Sequence, residues 1–99
     1  MKTVIELIIE EREKQISKHG FTAEHHFNHP EWYDKNQLIT AANILSIKEK
    51  TPCQVPENWD IEWFQRLCDK PYKKRLIIAA TLIVAEFERI SYESESQYS

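Results

Sequence analysis

The chain has 99 residues, a length that predicts one domain because independent cores come in units of roughly 100 to 150 residues. Its 41% hydrophobic and 29% charged residues exclude a disordered chain and a membrane protein, and its net charge of −3 makes DNA an unlikely partner. The chain has a single glycine, Gly20, whereas an all-β fold needs residues with positive φ at many tight turns. The composition therefore predicts an all-α fold.

The apolar pattern predicts a compact helical domain of three long helices plus one short aromatic helix, spanning residues 1–92. In the first helix, from Val4 to His19, isoleucines recur at helical spacing, and Gly20 follows at the position of a C-terminal cap. The segment 21–33 has no sustained period and is predicted to be a loop, in which Thr22 caps at most one short turn.

A second long helix is predicted from an N-cap at Asp34 to about Lys50. Its narrow buried stripe comprises Leu38, Ala41, Ala42 and Leu45. A proline-containing connector follows, and the short aromatic helix then begins behind a cap at Asp60.

The last helix is predicted to start at Pro71 and to end near Tyr92, before a frayed acidic tail at 93–99. Its stretch 76–85 is apolar on every side except at Thr81, which is more than three short helices readily cover. We therefore expect a homo-oligomer.

The two cysteines, Cys53 and Cys68, lack the CxxC spacing of metal or redox motifs and form at most one bridge. A reduced pair is the simpler interpretation. The N-terminal residues become charged too early for a secretion signal. Both observations predict a cytoplasmic protein.

Four carboxylates form a candidate Mg²⁺ site, namely Glu10 and Glu13 on the first helix and Glu31 and Asp34 at the entry to the second. Mg²⁺ takes oxygen ligands, so this ExxE and ExxD spacing suits a metal-dependent nucleotide hydrolase. The competing interpretation is that they are solvated surface residues, with Asp34 acting as a helix cap.

Three histidines, His25, His26 and His29, lie close together with His19 nearby. They are spaced for zinc, but no further ligand is evident. We expect a cluster of surface histidines in which one ring packs under the aromatic residues.

The start of the last helix carries three cations, which oppose the positive end of its dipole. A bound anion, internal acidic residues or the acidic end of a second copy would each relieve this strain, and all three remain open. Exposed aromatic rings from the loop are expected to fold over this basic start and stack on a ligand. The predicted ligand-binding residues are Lys73, Lys74, Arg75, Trp32, Tyr33 and Phe21.

The segments EEREKQISKHGFTAEHH, NQLITAA, PENWDIEWF and KKRLIIAATLIVAEFERI together resemble a family of small phage and prophage proteins. That family reads roughly ERxxQ, EHDD, ELxxAA and RRxLxKAxALIxAEIER, and it is loosely grouped with all-α, MazG-like nucleotide pyrophosphohydrolases. The resemblance covers about residues 9–91, and its matching positions are Glu11, Arg12, Gln15, Glu24, His25, Ala41, Ala42, Glu86 and Arg89.

His26 and Phe27 replace the two aspartates of the family pattern. Neither is a good Mg²⁺ ligand, so a metal-dependent activity would be impaired here. The resemblance therefore implies a small helical counter-defence protein in the host cytoplasm, which binds a nucleotide-like anion or a host defence protein and needs no cofactor. The alternative is a Mg²⁺-dependent nucleoside triphosphate pyrophosphohydrolase using the four carboxylates.

Overall fold

The computed structural model describes residues 1–49 and 54–98, with side chains as far as Tyr92. Within these ranges it contains six helices and no strand, which confirms the all-α prediction. None of the described helices is long and apolar enough to cross a membrane. The helices are α1 (Val4–His19), α2 (Ala23–Asn28), α3 (Pro30–Tyr33), α4 (Gln37–Leu45), α5 (Ile61–Cys68) and α6 (Tyr72–Tyr98).

Helix α1 has the predicted bounds because both of its ends are capped. Thr3 and Glu6 form a capping box at the start, and Gly20 adopts a left-handed conformation with φ 68° at the end. Its buried side chains are Arg12 and Gln15, however, whereas Ile5 and Ile9 are more than half exposed. The apolar spacing thus identified the helix but not the face that packs.

The predicted loop at 21–33 is wrong, since it contains two short helices. Thr22 accepts a hydrogen bond from the backbone N–H of His25 and starts α2, and Pro30 occupies the first turn of α3. Each helix is too short to show a hydrophobic period. The residues that indicate these two helices are therefore those at their starts, Thr22 and Pro30.

The predicted start of the second long helix is also wrong. Asp34 ends α3, and α4 begins after Asn36, which takes a left-handed conformation with φ 63°. Helix α4 stops at Leu45, earlier than expected, and Lys50 lies outside the described residues. The predicted stripe is nevertheless confirmed, because Leu38, Ala41, Ala42 and Leu45 are all buried.

Helix α5 begins behind its predicted cap, Asp60, whose carboxylate accepts from the backbone N–H of Trp63 at 2.7 Å. Helix α6 starts after Pro71, as predicted, but its backbone stays helical to Tyr98 and not only to about Tyr92. Cys68 is buried. Cys53, and with it the question of a bridge, lies outside the described residues.

Helix α6 is the centre of the fold, and α1, α2 and α4 pack against it. Small residues allow the close approach of α4, since Ala41 and Ala42 are buried with Ala79 and Ala85. The rest of the core includes Phe64, Ile78 and Leu82.

Candidate functional site: an aromatic pocket

A cavity of about 350 Å³ opens between α2, α3, α5 and the connector before α5. We call it the aromatic pocket, because most of the side chains around it are rings. Its lining consists of Phe21, His25, His26, Trp32, Tyr33, Trp59 and Trp63, with Gln15, Leu38, Asn58, Asp60 and Leu82. Such a concave, mostly apolar surface with a few polar groups is typical of small-ligand sites.

Five of these rings form a closed circuit around the pocket. The consecutive ring centroids are 6.2 Å (Phe21 to Trp63), 5.9 Å (Trp63 to Trp59), 6.3 Å (Trp59 to Tyr33), 5.9 Å (Tyr33 to His25) and 5.7 Å (His25 to Phe21) apart. Four of the five pairs meet at 63° to 90°, and only His25 and Phe21 are stacked. The walls of the pocket therefore meet at steep angles.

Hydrogen bonds to the backbone of α3 fix the connector wall of the pocket. The Trp59 indole N–H donates to the carbonyl oxygen of Trp32 at 2.7 Å. Asn58 adopts a left-handed conformation with φ 68°, and its amide donates to the carbonyl of Glu31 at 2.8 Å. These two contacts hold Trp59 in one position although it comes from an irregular segment.

Gln37, which is only 1% exposed, also joins α3 to the connector that carries Trp59. Its amide nitrogen donates to the carbonyls of Glu31 and Glu57 at 3.2 and 3.3 Å, and its oxygen accepts from the backbone N–H of Lys35 at 2.7 Å. One buried amide therefore links α3, the start of α4 and the connector.

A layer of buried polar side chains lies beneath the pocket, between α1 and α6. Gln15 donates to the Thr81 hydroxyl at 2.6 Å, and Thr81 in turn donates to the carbonyl of Ile78 at 2.6 Å. Arg12 donates to Glu88 at 2.7 Å and to Gln15 at 3.4 Å. This chain of bonds explains why α1 buries polar groups.

His26 is 2% exposed and packs against the ring of Tyr33 with 4.4 Å between centroids, so the prediction of one histidine under the aromatic residues is confirmed. Burial, together with the nearby charges of Arg12, His25 and Arg89, lowers the pKa of His26 to about 3. Its Nδ1 has no hydrogen-bond partner among the described residues. The pocket floor thus carries a neutral imidazole.

The walls of the pocket are likewise uncharged at neutral pH. Burial lowers the pKa of His25, with the neighbouring His29 contributing, and burial raises the pKa of Tyr33 to about 12. Of the described residues that line the pocket, none is a lysine or an arginine. The one carboxylate is that of Asp60, which is exposed at the rim.

The predicted ligand-binding residues are divided between different places. Phe21, Trp32 and Tyr33 line the aromatic pocket, but Tyr33 is 6% exposed and is therefore a wall and not a free surface ring. Lys73 and Lys74 lie instead along a groove of about 840 Å³ between α1 and the start of α6. The aromatic segment does not fold over the basic helix start.

Arg75 is a structural residue, which corrects its prediction as a ligand-binding cation. It is 6% exposed, and its guanidinium donates to four backbone carbonyls at 2.6 to 3.1 Å: those of Lys70, Leu45, Ile47 and Lys48. The carbonyls of Leu45, Ile47 and Lys48 lie at the C-terminal end of α4 or just after it, where the helix dipole is negative. The strain of this cation at the start of α6 is thus relieved inside the chain.

The four carboxylates do not meet. Glu10 pairs with Lys2, Glu13 is exposed, Glu31 accepts from His29 at 3.1 Å, and Asp34 lies 3.9 Å from Arg89. No group of three or more histidine, cysteine, aspartate or glutamate side chains that suits a metal ion occurs in 1–49 or 54–92. The predicted Mg²⁺ set is wrong as a cluster, and the histidines do not form a zinc site.

Sequence reasoning missed Trp63, Asp60 and Asn58 as site residues, because each had a simpler helical or turn role. It also missed Gln15, although the sequence indicates its position: Gln15 lies seven residues after Ile8 and therefore on the same face of α1.

No family model, curated protein or solved structure matches the chain.

Proposed function

We propose that this chain is a small-ligand-binding protein whose aromatic pocket takes an organic cation, in particular a quaternary or methylated ammonium group. The observation that carries the proposal is the closed circuit of rings around a cavity whose described lining residues include a carboxylate and no lysine or arginine. Ring faces attract cations, and aromatic cages are a recurrent way to bind quaternary ammonium ions.

The angles between the rings favour a cation over a flat base. A base that stacks on both faces needs two nearly parallel rings on opposite sides of it, whereas most neighbouring walls here meet at 63° to 90°. The stacked pair His29 and Trp32, at 4.4 Å and 14°, already occupies one face of Trp32 with an imidazole. A compact, roughly spherical group suits steep walls better.

The charges near the pocket also favour a cation. His25 and His26 are neutral at pH 7 because their pKa values are lowered, so they do not repel a positive ligand. Asp60 supplies a negative charge at the rim. Cation–π attraction contributes about 0.5 to 2 kcal/mol per well-placed ring, so several walls together give useful affinity.

The test is a titration of the chain with tetramethylammonium chloride, followed by tryptophan fluorescence against sodium chloride at equal ionic strength. Trp59→Leu should abolish the saturable change, whereas Phe27→Leu should preserve it, since Phe27 packs on Tyr92 and does not line the pocket. Asp60→Asn should weaken binding severalfold while keeping the helix cap, because asparagine caps as well as aspartate. No saturable change in the wild-type chain would contradict the proposal.

Binding of a nucleotide-like anion remains a prediction, and the same assay addresses it with adenosine and adenosine triphosphate. Saturation by these compounds and not by tetramethylammonium would favour it. The counter-defence role rests on the family resemblance alone. The pyrophosphohydrolase alternative has no observation in its favour, since its four carboxylates are apart.

A further inference from the structure

Helix α6 carries a row of apolar residues on the side that faces away from the core. We call this row the α6 stripe; it consists of Leu76, Ala80, Ile83, Phe87 and Ile90. The exposed fractions are 39% for Leu76, 54% for Ile83, 68% for Phe87 and 44% for Ile90, and Ala80 is half-buried. A Phe exposed to this extent in the middle of an apolar row is a common sign of an interface.

The spacing of the α6 stripe is that of a helix-pairing seam. Its members are separated by four, three, four and three residues, so they follow one line along the helix at the alternation found in coiled coils. From 76 to 90 the line is roughly 21 Å long at 1.5 Å per residue. It lies on another side of α6 from Leu82, which lines the aromatic pocket.

We infer that the α6 stripe binds the α6 stripe of a second copy of this chain, antiparallel, in a two-fold symmetric dimer. The charges of the helix support the antiparallel direction. Lys73 and Lys74 are exposed at its start, and the sequence places Glu93 and Glu95 beyond the far end of the stripe. Antiparallel pairing brings the basic end of each copy to the acidic end of the other, whereas parallel pairing puts like charges together.

The sizes of the side chains support the same arrangement. Ala80 precedes Ile83 by three residues and Phe87 follows it by four, so an axis near Ile83 puts Phe87 of each copy opposite Ala80 of the other. The largest member of the stripe then fills the space above the smallest. In a parallel pair the two phenylalanines would compete for one place, and a gap would remain at the alanines.

The dimer also accounts for the apolar stretch 76–85, whose buried members, among them Ile78, Leu82 and Ala85, face the core of one copy. The remaining side is left for the second copy. Glu86 and Glu88 do not interfere, since they are engaged by Arg89 and Arg12 at 2.6 and 2.7 Å. This inference is independent of the aromatic pocket.

Sedimentation velocity of the full chain from about 1 to 100 µM tests the inference, because specific dimers associate in this range or more tightly. The wild-type chain should be dimeric at the upper concentrations. Phe87→Glu should raise the dimer dissociation constant at least about tenfold, since two copies of the change enter each dimer. Ile61→Glu is the matched control: Ile61 is 59% exposed on α5, outside the stripe, and should leave association unchanged.

A size swap tests the direction of pairing. Ala80→Phe alone should weaken the dimer, and adding Phe87→Ala should restore it, because the large and small residues again face each other only in the antiparallel pair. A circular dichroism melt of each variant checks that it folds. The inference would be overturned if the wild-type chain is monomeric at 100 µM, or if Phe87→Glu and Ile61→Glu change the dimer dissociation constant equally. The antiparallel arrangement would be overturned if Ala80→Phe abolishes the dimer and adding Phe87→Ala does not restore it.

Discussion

Apolar residues on two sides of α6 form two different kinds of surface. On the side of Leu82, large rings converge on a pocket, and the connector that supplies Trp59 is tied to α3 by side-chain hydrogen bonds. On the side of Ile83, aliphatic residues and Phe87 stand exposed in a straight row with no polar group among them. One surface is concave and organised by polar contacts, and the other is an exposed apolar row along one helix.

This difference shows what each surface can recognise. A concave cage with fixed walls selects a small group by shape and charge, because its side chains do not need to be ordered on binding. An exposed apolar row along a helix selects a long partner by buried area. Both surfaces are apolar, so hydrophobicity alone does not distinguish them. The pocket differs from the stripe because hydrogen bonds from the Gln37 amide and the Trp59 indole to backbone carbonyls fix its walls.

The largest expected effect comes from the buried cation Arg75, which joins the start of α6 to the end of α4. Arg75→Met should destabilise the fold by about 3 kcal/mol, because it leaves several carbonyls at the end of α4 without their donor. Lys74→Met, at an exposed neighbouring position, should change the free energy of unfolding by less than about 0.5 kcal/mol. Urea denaturation of both variants gives the comparison; equal effects would mean that Arg75 is not structural.

A second change should damage the concave side selectively. Gln37→Leu removes three hydrogen bonds that join α3, α4 and the connector, and should cost about 2 kcal/mol. It should also weaken ligand binding at the pocket while leaving the oligomeric state unchanged. Gln65→Leu, the same substitution at an exposed position, is the control for both measurements. Unaltered binding by a folded Gln37→Leu chain would show that the pocket does not depend on this amide.

Acid should destabilise the fold through the pocket floor. The pKa of His26 is about 3 in the folded chain and near 6.5 when unfolded, so between these values the unfolded state binds more protons. Its contribution to stability is present above pH 6.5 and is lost as the pH falls, with a slope of at most about 1.4 kcal/mol per pH unit. His26→Phe should flatten the stability curve between pH 7 and 5. A wild-type slope retained in this variant would assign the acid sensitivity elsewhere.

The smallest effect concerns ligand affinity and pH. The pKa of His25 is lowered by burial and by His29, so His25 is neutral at pH 7 and gains its proton at lower pH. A charged imidazole in the wall would repel a cation. Tetramethylammonium affinity should therefore fall as the pH is lowered below the usual imidazole range, and His25→Phe should reduce this dependence. Stronger binding at low pH would indicate an anionic ligand.

Much of the fold was predictable because its signals are local. The predicted caps Gly20 and Asp60 and the buried stripe of α4 identify three helices, although α4 begins and ends at other residues than predicted. The segment 21–33 was misassigned, because two helices of six and four residues are too short for a hydrophobic period. Asn36, in a left-handed conformation, starts α4 without a side-chain cap, so nothing in the sequence favoured it over Asp34.

The candidate site was less predictable because it depends on long-range packing. Phe21, Trp32 and Tyr33 were predicted to bind a ligand over the basic start of α6, and they line a pocket elsewhere. The cations of α6 were assigned to the same site from helix electrostatics, but the end of α4 satisfies Arg75 from 30 residues away in sequence. Such pairings between elements leave no trace in a single sequence.

The central claim is that the aromatic pocket binds a positive charge, and one comparison tests it most directly. Isothermal titration of the chain with choline and with 3,3-dimethylbutan-1-ol, its uncharged carbon isostere, holds shape and apolar area nearly constant. The cage predicts that choline binds at least about tenfold more tightly, a difference of about 1.4 kcal/mol that cation–π attraction readily supplies. Equal affinities, or tighter binding of the alcohol, would contradict it.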